Sequence, residues 1–100
     1  MSVTPVAGLN SIVSTGGTAV VAVGAAPNGG IITNPLTAID QGISIAEPLY
    51  VNPVSTATLL GNGTTFRIEP GGLWTIIAGQ TTQTTVNAAS NGHKFSVTSW

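Results

Sequence analysis

The chain has 100 residues, of which only five are charged: Asp40, Glu47, Arg67, Glu69 and Lys94. That 5% compares with roughly 25% in an ordinary soluble domain. Two basic residues and a formal net charge of −1 exclude direct binding of nucleic acid, which needs several Lys or Arg against its phosphates; the absence of cysteine excludes disulfides and thiolate metal sites.

A chain this short forms one domain with a thin core. One histidine and three carboxylates do not make a metal cage, and no cofactor is expected. With no disulfide or metal to reinforce it, self-association is the remaining source of stability. Low charge points the same way, because charge normally keeps free proteins apart. The sequence has no apolar run of ~20 residues, so no membrane span is expected. The start, MSVTPVAGLN, has neither a basic n-region nor a continuous apolar h-region, which predicts synthesis in the cytoplasm without a signal peptide.

Thr is the commonest residue and Gly the next, while strong helix formers are scarce. Thr is β-branched and favours strands, and Gly punctuates them. The expected fold is all-β: a single small antiparallel β-sandwich or barrel over residues 18–100, preceded by an extended arm over residues 1–17. Residues 1–17 also read as a weak first strand; as an arm they carry isolated apolar residues at Val3, Val6, Leu9, Ile12 and Val13, a spacing suited to reaching onto a neighbouring subunit.

Residues 18–23 predict the first strand, and Ala26 to Gly30 a turn, since Asn28-Gly29 tolerates positive φ. Ile31 to Thr33 predicts a strand ended by Asn34-Pro35. Leu36 to Gln41 reads equally as one helical turn capped by Gly42 or as a loop. Ile43 and Ile45 suggest a short alternating strand, and Leu49 to Asn52 another, stopped by Pro53. Ala57 to Leu60 and Thr64 to Glu69 predict a hairpin about Gly61-Asn62-Gly63, with Phe66 and Ile68 on one face and Arg67 and Glu69 on the other. Pro70-Gly71-Gly72 predicts a type II turn, because Gly supplies positive φ after Pro. Strands follow over Leu73 to Ala78, Thr82 to Ala88 and Lys94 to Trp100, with Trp74 and Ile76 on one face of the first, Val86 inward on the second, and Phe95 and Val97 on one face of the third with Trp100 on the other. Turns about every ten residues are the rhythm of a sandwich or barrel.

Few residues suggest chemistry. His93 follows Asn91-Gly92 and reads as a solvent-facing turn residue, since the chain has no cysteine and the nearest Asp in sequence is Asp40. Glu47 and Glu69 form a carboxylate pair only on paper; Arg67 sits two residues from Glu69 and predicts a surface ion pair. Asn62-Gly63-Thr64 matches a glycosylation acceptor, and the turn explains the same three residues. Phe66 and Trp74 belong to the expected core. The Thr-rich stretch 80–85 gives a neutral strand face suited to subunit packing. Tyr50 and Trp100 are expected at an edge and a terminus, as partner contacts or as a sugar-stacking pair. The expected partner or oligomer interface is thus Val3, Val6, Leu9, Ile12, Val13, Leu36, Ile39, Tyr50 and Trp100, and no catalytic residue is expected.

The segments Ala46 to Val54, Gly63 to Gly72 and Val86 to Phe95 resemble the small β-sandwich virion proteins of tailed bacteriophages. The resemblance covers roughly the second half of the chain and rests on strand, Pro-Gly turn and strand. It implies a non-enzymatic capsid decoration or cement protein at the virion surface, a homotrimer or homodimer that binds the major capsid protein through the N-terminal arm and the segment from Asn34 to Pro53. A tail, baseplate or fibre component and a carbohydrate-binding adhesin module are the alternatives.

Overall fold

The computed structural model describes residues 4–100 and is a small all-β sandwich. Val3 of the expected arm lies outside the described residues. The strands are β1 (Val6–Ala7), β2 (Ile12–Val13), β3 (Val20–Val23), β4 (Gly30–Thr33), β5 (Leu49–Asn52), β6 (Phe66–Ile68), β7 (Leu73–Ile76), β8 (Thr84–Asn87), β9 (His93–Lys94) and β10 (Ser96–Ser99). The first sheet has the order β1-β10-β4-β7 and the second β3-β8-β5-β6; β2 and β9 form a separate two-stranded ribbon. All pairings among these strands are antiparallel.

The strands sit where β-branched residues fall between Pro and Gly. β4 ends at Asn34-Pro35 and β5 at Pro53, as the missing proline donor requires. Gly71 takes φ +84° and the Gly72 amide donates to the Glu69 carbonyl at 2.8 Å, completing the expected type II turn between β6 and β7. Of the two readings of residues 36–41, the helical turn holds: α1 (Ala38–Gln41) is capped by the Thr37 side chain, which accepts from the Asp40 amide, and closed by Gly42 in the left-handed region.

Inward-facing residues from both sheets make the core, among them Ile32, Ile76, Leu49, Val51, Val86 and Ala22. Phe95 links β9 to β10 and is buried beside Val13 and Ala88 in the same cluster.

Several expectations need correction. Residues 6–17 are stitched into the fold, so of the two readings of this segment the strand holds and the extended arm does not. β1 pairs with β10, the chain then crosses to the second sheet as Leu9 donates to the Ala22 carbonyl at 2.8 Å, and β2 pairs with β9. Val13 is fully buried and is therefore not an open partner contact, while Ile12 is half-buried. Residues 43–46 and 57–60 are not strands, so there is no hairpin about Asn62. β6 pairs instead with β5, which precedes the loop 53–65. The isoleucines at 43 and 45 alternate without a neighbouring strand to pair with, and alternation alone does not form a ladder.

Phe66 and Trp74 do meet, with ring centroids 4.5 Å apart, but they lie on different sheets. β6 and β7 are the edge strands on one side of the sandwich, and this aromatic pair closes the gap between them. Phe66 therefore remains 44% exposed, where the sequence suggested a core residue.

Candidate functional site

Two features stand out: a buried polar cluster at one end of the sandwich and an uncovered sheet face. The cluster brings together Asn34 after β4, Gln41 of α1, Glu47 before β5, Ser90 after β8 and His93 of β9. It corrects the expectation for His93, which is fully buried.

Asn34 organises the cluster. Its Nδ2 donates to the Glu47 and Ile68 carbonyls, both at 3.0 Å. Its Oδ1 accepts from Gln41 Nε2 at 3.1 Å and from His93 Nε2 at 2.9 Å. Gln41 Nε2 also donates to the Pro35 carbonyl at 2.7 Å, and Gln41 Oε1 accepts from the Glu47 amide at 2.9 Å. With both Asn34 Nδ2 hydrogens directed at carbonyls, His93 Nε2 is the donor to Oδ1, an assignment that follows from the network.

The other ring nitrogen, His93 Nδ1, lies 3.1 Å from Glu47 Oε2. The Ser90 amide donates to Oε2 at 3.0 Å, and the Ser90 hydroxyl donates to Oε1. Burial acts to raise the Glu47 pKa, but the Ser90 hydroxyl, His93 and the Ser90 amide together outweigh it and hold the carboxyl below its ordinary value. His93 Nδ1 and both Ser90 groups thus converge on the one carboxylate.

This constellation has Ser, His and Glu in contact but in the wrong order for nucleophilic catalysis. A triad needs the base nitrogen against the serine hydroxyl, with the acid behind it. Here Glu47 stands between Ser90 and His93, and His93 Nε2 faces Asn34. The carboxylate is already engaged by three donors and, with its lowered pKa, is a weak base. An open hollow of about 520 Å³ lies beside it, lined by Gly42 to Glu47, Ser90 and Asn91. Glu69, the other imagined member of an acid pair, bonds Arg67 at 2.6 Å on the surface, as expected. Among the described residues no three His, Asp or Glu side chains gather around a common point, and no helix is long and apolar enough to cross a membrane.

The second feature is the outer face of the first sheet. Register puts Leu73 opposite Thr33 and Thr75 opposite Ile31, while β10 adds Ser96 and Thr98 beside the same two β4 residues and β1 adds Ala7 beside Thr98. This face carries only aliphatic side chains and hydroxyls, with no charge. Leu73 is 58% exposed, and Ile77, one residue past β7 in the same alternation, is 77% exposed. Trp100 continues β10, its amide donating to the Gly29 carbonyl at 3.1 Å, and stays 37% exposed.

The outer face of the second sheet is covered by its own chain. Thr85 Oγ1 accepts from the Ala57 amide at 2.8 Å and donates to the Ser55 carbonyl at 2.9 Å. Asn87 Nδ2 donates to the Ala57 carbonyl at 3.0 Å, and Asn52 Nδ2 to Thr65 Oγ1 at 3.0 Å. Thr85 and Asn87 are consequently buried on the outer side of β8, and Val86 of the same strand is buried in the core. The Thr-rich stretch expected as a packing face is thus divided: Thr81 and Thr82 are exposed, while Thr84 and Thr85 are buried within the molecule.

The remaining expected interface residues do not form one patch. Val6 and Trp100 share an end of the first sheet, where β1 pairs with β10. Leu36 is exposed over Gly71, where an added Cβ would lie 3.1 Å from the Leu36 Cδ1. Ile39 projects from α1 at 90% exposure, and Leu9 is exposed where the chain crosses between sheets. Tyr50 is half-buried on the second sheet, so it and Trp100 do not make a common sugar platform. Sequence reasoning missed the Glu47–His93 contact, although one signal was present: His93 has the same strand parity as the apolar pair Phe95 and Val97.

No protein-family model, curated protein or solved structure matches the chain.

Proposed function

We propose that the chain is a non-enzymatic structural subunit that assembles with copies of itself through the bare outer face of its first sheet. The observation that carries this reading is the absence of charge across that face together with exposed Leu73 and Ile77. A second copy brings an equally uncharged face, so pairing buries no unpaired charge, and hydroxyls and aliphatics desolvate at low cost. The buried Glu47–His93 pair supports the same reading, because the one histidine of the chain serves to hold loops together.

On the resemblance to tailed-phage virion proteins, the assembled unit is a decoration or cement protein bound to the major capsid protein lattice. The test is co-sedimentation of the purified protein with undecorated capsids of a tailed phage that encodes it. Retention of the protein with the particle supports the cement reading. Self-assembly without retention removes it and leaves the tail or fibre alternative. Because β1 and β2 belong to the fold, point substitutions on the first sheet are the appropriate probes, in place of a terminal deletion.

A further inference from the structure

We propose that Asn62 is a site of spontaneous covalent modification, converting through a succinimide to aspartate and isoaspartate. The chain has three Asn-Gly pairs, at 28–29, 62–63 and 91–92, and in flexible chains this dipeptide is the most prone to such conversion because glycine offers no side chain to block attack. In the first step the Gly63 backbone nitrogen attacks Asn62 Cγ. A C–N bond forms, the amide proton leaves, the Cγ–Nδ2 bond breaks and ammonia departs. Water then cleaves either carbonyl–nitrogen bond of the ring, giving aspartate or isoaspartate.

The fold treats the three pairs differently. The Gly29 amide is buried and donates to the Ala26 carbonyl at 2.9 Å. The Gly92 amide donates to the Val13 carbonyl at 2.8 Å, and Asn91 Oδ1 is held by the Gly16 amide at 2.7 Å. Both nitrogens must leave a hydrogen bond before they can react. The Gly63 amide has no acceptor among the described residues, and the Asn62 side chain has no hydrogen-bond partner there either. Both residues are exposed, in the loop 53–65. The peptide geometry is that of a turn, with Gly63 at φ +60° and the Thr65 amide donating to the Asn62 carbonyl at 3.0 Å. Conversion adds a negative charge to a chain whose formal net charge is −1, on the loop that covers the second sheet.

The experiment is incubation of the folded protein at mildly alkaline pH, with peptide mapping by mass spectrometry over time. Asn62 is expected to convert at least about tenfold faster than Asn28 or Asn91, since a nitrogen that must first open at a cost of ~1.4 kcal/mol is available one-tenth as often. In denaturant the three sites are expected to converge to similar rates, which separates the effect of the fold from that of the dipeptide. Asn62→Gln should abolish the early species seen by charge-sensitive separation. Conversion of Asn28 or Asn91 ahead of Asn62 in the folded protein would overturn the assignment, as would the same spread of rates in denaturant.

Discussion

The two sheets share one core and one set of pairing rules, yet their outer faces have opposite fates. The second sheet is covered by the loop 53–65, pinned through Thr85, Asn87 and Asn52. The first sheet offers Leu73, Thr75, Ile31 and Thr98 with no covering segment among the described residues. Four strands with polar or hydroxyl residues on their outer side therefore say little about which face is solvated. What decides it is whether a long connection follows the sheet and carries backbone groups that its side chains can satisfy. The second sheet has such a connection between β5 and β6, whereas β6 and β7 are joined by a tight turn.

The largest expected effect comes from the cluster that joins the two sheets. Asn34 follows β4 of the first, Glu47 precedes β5 of the second, and His93 bonds both. His93→Leu leaves Asn34 Oδ1 and the Glu47 carboxylate without the partner they share and should cost about 3 kcal/mol, read as a lower denaturant midpoint with an unchanged slope. In a domain of this size that is a large part of total stability.

The same pair gives an acid limb with a definite sign. Because the folded-state pKa of Glu47 is below its ordinary value of 4.5, its contribution is fully present above about pH 4.5 and is lost as pH falls through the folded value. Thermal melts across acid pH should show this limb, and Glu47→Gln should flatten it while lowering stability at neutral pH.

Thr85→Val tests the covered face. It leaves the Ala57 amide and the Ser55 carbonyl without their partner and should cost about 1–3 kcal/mol, with faster hydrogen exchange at Ala57. Its neighbour Thr84 predicts the reverse. Thr84 Oγ1 is buried with no partner among the described residues, so Thr84→Val should raise stability by about 1 kcal/mol in the same denaturation assay. Two adjacent threonines on one strand thus separate a hydroxyl that pins the loop from one that only suffers burial.

Much of the fold was legible because local punctuation sets it. Pro35 and Pro53 end β4 and β5, and Gly71 fixes the turn before β7, so these boundaries follow from residue chemistry alone. The surface ion pair of Arg67 and Glu69 was legible for the same local reason. The pairing of β6 was not, since Asn62-Gly63 suggests a hairpin while the actual partner, β5, lies across the loop 53–65. The polar cluster was hidden by distance along the chain. His93 follows a turn dipeptide, and its partners Asn34 and Glu47 are 59 and 46 residues away. Only the alternation His93, Phe95, Val97 hinted that its ring points inward.

The central claim, that the bare first sheet is an assembly surface, is tested most directly by light scattering over a dilution series, comparing the native chain with Thr75→Lys. Thr75 is exposed on the edge strand β7, between Leu73 and Ile77 on that face, and a surface lysine there should change stability by less than about 0.5 kcal/mol. The account predicts a dimer or trimer of the 10.0 kDa chain that Thr75→Lys shifts to monomer. A native chain that stays monomeric at every concentration, or an oligomer whose mass Thr75→Lys leaves unchanged, would contradict it.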